Sequence, residues 1–95
     1  FKFKPKIFCI AKESHLKQSK LAVEIRNFLG NQVKVTDILE PDTQLIISET
    51  PVGGFLAQQN GGIRIYYISE ERTKEDWKDL SVFVSKINFC EEVLN

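Results

Sequence analysis

The stretch TPVGGFLAQQNGG, Thr50 to Gly62, holds four of the chain's five glycines. A glycine-rich loop that opens a helix is one of the few short patterns able to hold a phosphate, because backbone N–H groups converge on the anion. A phosphate loop of the Walker kind also requires Lys followed by Ser or Thr at the helix start, so that an ammonium and a hydroxyl meet phosphate and metal. Neither is present, for no Lys or Arg stands between Lys34 and Arg64. A dinucleotide fingerprint needs three glycines directly after the first strand, and the turn after the first strand-like run reads KESHLKQS, without glycine. Gly53-Gly54 and Gly61-Gly62 therefore read as turn positions in a connection.

The other reactive side chains do not assemble into a constellation by spacing. His15 has Ser14 and Ser19 nearby, but no carboxylate is placed to orient the imidazole, as nucleophilic catalysis of the Ser-His-Asp type demands. Glu70, Glu71, Asp76 and Asp79 cluster at the start of the last helical pattern, where negative charge is favoured by the helix dipole. Cys9 and Cys90 are the only cysteines, one in an apolar strand-like run and one near the end of a helical pattern, and read as buried free thiols. With one His and no Cys-x-x-Cys, a zinc site lacks ligands. The expectation is an uncatalytic chain with no metal and no cofactor.

Charge is uneven along the chain although its sum is zero. Through Lys34 there are eight basic side chains, Lys2, Lys4, Lys6, Lys12, Lys17, Lys20, Arg26 and Lys34, against Glu13 and Glu24 only, and the remainder is correspondingly acidic. Clustered cations raise the local potential and steer anions in, so Lys2, Lys4, Lys6, Lys12, Lys17 and Lys20 are the candidate interaction residues, facing an acidic protein partner or DNA. The competing reading is a solvated face that meets the acidic remainder on folding. No aromatic stacking platform or Arg-rich run strengthens the case for nucleic acid.

The elements that must position these residues follow from periodicity. KIFCIA (Lys6 to Ala11) is a short, nearly continuous apolar run, as expected of a central strand buried on both faces; TQLIIS (Thr43 to Ser48) is another short apolar run and GIRIYYIS (Gly62 to Ser69) the longest β-rich stretch, and both read as strands. QVKVTDI alternates and reads as a strand with one face less buried. Leu21, Ile25, Phe28 and Leu29 fall on one helical face, with Ser14 or Ser19 as cap and Gly30 suited to the left-handed position that ends the helix. Trp77, Leu80, Val84 and Ile87 mark a second amphipathic helix, with Phe83, Cys90 and Leu94 widening its stripe, and Thr73 with Asp76 forms a weak capping box at its start. GFLAQQ supplies a helical turn or two inside the glycine-rich connection.

A chain of 95 residues is one small domain with room for one core, and its lack of an initial Met fits a module of a longer protein. No apolar run approaches the roughly 20 residues of a membrane span, and the first residues carry no secretory h-region. Strand, helix, strand, strand, glycine-rich connection, strand, helix is an order that favours a mainly parallel sheet flanked by helices, a small three-layer α/β fold.

This order, running from FKFKPKIFCIA through LAVEIRNFLGNQVKVTDILEPDTQLIIS to PVGGFLAQQNGGIRIYYISEER, resembles a BRCT domain, the four-stranded module of DNA repair and replication proteins. The family pattern has a helix ending in Gly-Gly, where this chain has Gly30-Asn31. It has Thr-His before the third strand, where Thr43-Gln44 stands, and a Gly before the fourth strand, matched by Gly61-Gly62. Ala11-Lys12 replaces the Ser/Thr-Gly pair of phosphopeptide-reading members, Gly54-Phe55 stands near their helix-opening Lys, and Arg72 sits where the family's last-helix Trp is expected, with Trp77 five residues later. The resemblance implies strand order 2-1-3-4 with the first and last helices on one face. It further implies a protein-interaction scaffold in a nuclear protein of DNA repair, replication, telomeres or chromatin, one that does not read phosphopeptides because a phosphate needs charge-assisted donors. The alternative expectation is a Rossmann-like nucleotide-binding or hydrolase domain, with ligand bound at the carboxyl ends of the strands.

Overall fold

The computed structural model describes residues 4–12 and 20–94, the last seven of these by backbone alone. Lys2, Glu13, Ser14, His15, Lys17 and Ser19 lie outside the described residues, as do the side chains of Cys90 and Leu94. Strand β1 spans Lys6–Ile10, and helix α1, Lys20–Leu29, runs into a 3₁₀ turn at Gly30–Gln32. Strands β2, Lys34–Thr36, and β3, Leu45–Ser48, follow, then helix α2, Val52–Gln59, strand β4, Arg64–Tyr67, and helix α3, Lys74–Leu94. All strand pairs are parallel and the sheet order is β2-β1-β3-β4. The α/β class and the order 2-1-3-4 expected from the sequence are those observed.

Side chains alternate across a strand, so the register assigns each to a face. Ile7 and Cys9 of β1 stand beside Leu45 and Ile47 of β3, and Ile47 stands beside Tyr66 of β4. This face meets Leu21, Ala22, Ile25 and Leu29 of α1 and Leu80, Val84 and Ile87 of α3 in one core cluster, with Tyr66, Trp77 and Phe83 packed against it. Both long helices therefore cover the same side. Ile46, Ser48 and Ile65 turn to the other side, where α2 lies over β3 and β4. Every residue of β3 is buried, which explains why its sequence is a continuous run rather than an alternation.

Helix ends follow the local chemistry anticipated from the sequence. Gly30 takes φ 56°, and Gly61 and Gly62 take φ 85° and 75°, left-handed values that side chains resist. Thr73 and Asp76 close the capping box on α3 reciprocally: the Thr73 N–H donates to Asp76 Oδ2 at 2.9 Å, and the Asp76 N–H donates to Thr73 Oγ1 at 3.2 Å. Phe28, placed on the inner face of α1 by periodicity, is instead 46% exposed and rests on the Trp77 ring of α3, centroids 5.0 Å apart. Val35 and Thr36 of β2 are half-buried, and Asp37 lies exposed beyond the strand.

Gly53 and Gly54 are not turn residues but the first turn of α2, and they let the helix sit against the sheet. A Cβ on Gly53 would lie 2.5 Å from Ser48 Cβ and 2.7 Å from Ile65 Cδ1. Ser48 cannot retreat, because its buried hydroxyl donates to the Thr50 carbonyl at 2.6 Å and accepts from the Thr50 N–H at 3.1 Å. A Cβ on Gly54 would meet only the Tyr67 hydroxyl, the tip of a side chain that is 55% exposed and free to swing. Gly53→Ala should therefore lower stability by about 1–3 kcal/mol through overpacking, read as a lower urea midpoint at unchanged slope. Gly54→Ala should stay within about 1 kcal/mol of the parent, because helix propensity favours Ala.

Candidate functional site

Loops at the carboxyl ends of β1, β3 and β4 converge, as they must where all strands run the same way, and ligands of open parallel sheets bind in that position. The place is marked by a depression of about 690 Å³ lined by Lys12, Glu49, Thr50, Pro51, Ser69, Glu70 and Glu71. Its floor is built by main-chain bonds that extend the sheet: Glu49 N–H donates to the Ile10 carbonyl and Ile68 N–H to the Ser48 carbonyl, each at 2.9 Å.

Beside the depression, Arg72 joins three parts of the chain. Its guanidinium donates to Glu49 Oε2 at 2.6 Å, to Glu24 Oε1 and Oε2 of α1 at 2.8 and 3.1 Å, and to the Ser69 carbonyl at 2.9 Å. The Arg72 and Glu49 side chains are only 6% and 8% exposed. Burial opposes the charge of Arg72, but its bonds to Glu49 and Glu24 outweigh that and hold the guanidinium above its ordinary pKa. The Trp77 ring stands 5.6 Å from the guanidinium carbon, a cation–π distance. The other oxygen of Glu49 accepts the Lys12 backbone N–H at 3.0 Å. One residue thus ties β3, α1 and the β4–α3 turn, while Glu49 extends the tie to the end of β1.

Two of the remaining charges at the site are mutually engaged as well. Lys12 Nζ lies 3.0 Å from Glu70 Oε1, with both side chains largely exposed. Among the described residues the depression offers an anion one cation, already facing a carboxylate, and three acidic side chains. Helix α2, which starts beside it, carries no charged residue at all. Among the described residues no group of three or more His, Cys, Asp or Glu is placed to hold a metal ion.

The candidate lysines do not form one patch. Lys6 opens β1 and is held by Asp42 at 2.7 Å and Glu40 at 3.5 Å; the hydrogen bond to Asp42 raises its pKa and lowers that of Asp42. Lys12 follows the opposite end of β1, roughly 20 Å away at about 3.3 Å per residue. Lys4 and Lys20 are exposed, and Lys2 and Lys17 lie outside the described residues. Arg26 meets Asp37 at 3.3 Å. Part of the basic first third therefore faces the acidic remainder of the same chain.

Sequence reasoning did not find the Arg72 junction, because Glu24, Glu49 and Arg72 are widely spaced and belong to no motif. The one signal was an arginine in the acidic run SEER, standing where the resemblance called for an aromatic residue. Cys9 is a buried free thiol, and burial, the largest cause, pushes its pKa up to about 12. Comparison of the chain with family models, with curated proteins and with solved structures returned no match. No described helix is long and apolar enough to cross a membrane.

Arg72→Met strands two carboxylates beside the core and should cost about 3 kcal/mol, measured by urea unfolding. Glu49→Gln keeps a hydrogen-bonding side chain of the same shape and should cost clearly less. Cys9 titrates near 9 when unfolded and near 12 when folded, so the unfolded chain releases its proton first. Its contribution is present below pH 9 and is lost as pH rises from 9 towards 12. Cys9→Ser or Cys9→Ala should flatten the loss of melting temperature over that window, and the Cys9 peptide should resist alkylation at pH 8 in the folded chain, read by mass spectrometry.

Proposed function

We propose that this chain is a non-enzymatic protein-interaction module of the BRCT kind, belonging to a nuclear protein of DNA repair, replication, telomeres or chromatin. The observation that carries the reading is the sheet order 2-1-3-4 with α1 and α3 on one face and a short α2 on the other, the arrangement that the resemblance implies. Fold alone does not assign function. Contact is favoured over chemistry by the carboxyl-end depression, where each described cation already faces a carboxylate of the same chain. Arg72, the best anion donor in the neighbourhood, is enclosed by Glu24 and Glu49, and Lys12 faces Glu70.

The same electrostatics argue against phosphopeptide reading. A phosphate must be met by charge-assisted donors to offset its lost hydration, and here Glu49, Glu70 and Glu71 border the place it would occupy. Partners meet the module through exposed loops and helix faces. Lys4 and Lys20, exposed at the start of the chain and of α1, add attraction to an acidic protein surface or to DNA, with Lys2, Lys6, Lys12 and Lys17 as further candidates.

A ligand that binds only the folded chain raises its melting temperature. ATP, NAD and a phosphoserine peptide should each leave the melting temperature unchanged. A concentration-dependent rise with either nucleotide would overturn the module reading in favour of a Rossmann-like nucleotide-binding domain. Nuclear proteins cross-linked to the chain should bind it again when purified, with an affinity that falls steeply with salt if the lysines carry the contact. A salt-independent affinity removes the lysines from the interface, and failure of every purified protein to bind removes the proposed function.

A further inference from the structure

The two edges of the sheet are finished differently. In a parallel ladder the N–H and C=O of one residue point to the same side and successive residues alternate. Lys34 N–H donates to the Pro5 carbonyl, so Lys34 and Thr36 face β1 and Val35 faces outward at the β2 edge. That outward carbonyl is met by the Arg26 guanidinium at 3.4 Å, which Asp37 holds in place at 3.3 Å. At the other edge Ile68 N–H donates to the Ser48 carbonyl, and Tyr66 stands opposite Ile47. Arg64 and Tyr66 therefore bond to β3, while the backbone groups of Ile65 and Tyr67 point away from the sheet. Among the described residues, no side chain or loop bonds to these outward groups.

An unpaired edge is a template for another strand, and proteins usually blunt it with Pro, Lys, a bulge or a covering loop. Strand β4, Arg-Ile-Tyr-Tyr, is short and carries one charged residue, Arg64, but has no Pro and, among the described residues, no bulge or covering loop; its outward positions are Ile65 and Tyr67, and Tyr67 is 55% exposed. We infer that β4 pairs antiparallel with β4 of a second copy of this chain, about a twofold axis through Tyr66, joining the two sheets into one. This register places Ile65 opposite Tyr67 of the copy and Tyr67 opposite its Ile65, so both outward residues exchange N–H and C=O bonds. Centring the axis on Ile65 or on Tyr67 would pair just one of the two within the strand.

The side chains fit the same register. On the α2 side each Ile65 meets a Tyr67, an aromatic and β-branched pair that stabilises antiparallel strands. On the α3 side the two Tyr66 rings face each other, each backed by Phe83 at 5.1 Å. A twofold contact of this kind is isologous and closed, so it stops at the dimer. It uses neither the lysines nor the carboxyl-end depression, and its failure would leave the proposed function untouched.

Sedimentation equilibrium of the 95-residue chain from micromolar to millimolar concentration should show a monomer passing into a dimer. Tyr67→Pro removes an outward N–H and leaves the ladder to β3 intact, a substitution that edge strands accept; it should give a monomer at every concentration with retained far-ultraviolet dichroism. Tyr67→Ala keeps the N–H and should still dimerise, with weaker affinity. In the parent chain the Ile65 and Tyr67 amides should exchange with deuterium more slowly as concentration rises. A parent chain that stays monomeric throughout, or a dimer that Tyr67→Pro leaves intact, would overturn the inference.

Discussion

Parallel strands impose the constraint from which the rest of this structure follows: each connection must return across a face of the sheet before the next strand can begin. In a chain this short, α1 makes the first return and α2 the last, the crossover from β2 to β3 carries no helix, and α3 closes the chain over the sheet; the sizes of these helices decide what is buried. Two long helices share one face and build the main core. The third return has eight residues of helix and reaches the other face only because Gly53 removes the side chain that would hold it away. Strand β3 is enclosed on both sides as a result, and its continuous buried run is the imprint of that enclosure, whereas β1 is fully buried on one face only.

The same constraint gathers the loops at one end of the sheet, which in many α/β proteins becomes a binding crevice. Here that end is used to hold the molecule together. Arg72 stands among Glu24, Glu49, the Ser69 carbonyl and Trp77, so the groups best suited to grip a ligand are engaged with one another. A buried ion pair of this kind adds little net stability compared with an apolar core, since desolvation offsets attraction. Its geometric demand is strong, however: α1, β3 and the β4–α3 turn must meet at one guanidinium.

Local and periodic features were legible in the sequence. The apolar run of β1, the helical stripe of Leu80, Val84 and Ile87, the left-handed glycines and the Thr73–Asp76 box each depend on residues near one another in the chain. What the sequence concealed depends on distance along it. Gly53-Gly54 reads as a turn until the nearness of Ser48 and Ile65 is known, and Phe28 reads as core until its partner Trp77 is seen. The cationic first third looked like a single feature, yet β1 separates Lys6 from Lys12, and Asp42, Glu40 and Glu70 meet them from the acidic part. Charge totals record composition, whereas fields depend on which strand ends the charges occupy.

The chain has a single tryptophan, and the fold places it between Phe28 and the Arg72 guanidinium. Indole emission is sensitive to nearby charge and to contact with water. Trp77 therefore serves as an optical reporter of one junction, where the first helix, the last helix and the turn after β4 come together. Loosening of that junction would change its colour and lifetime while the sheet, which contains no indole, stayed silent.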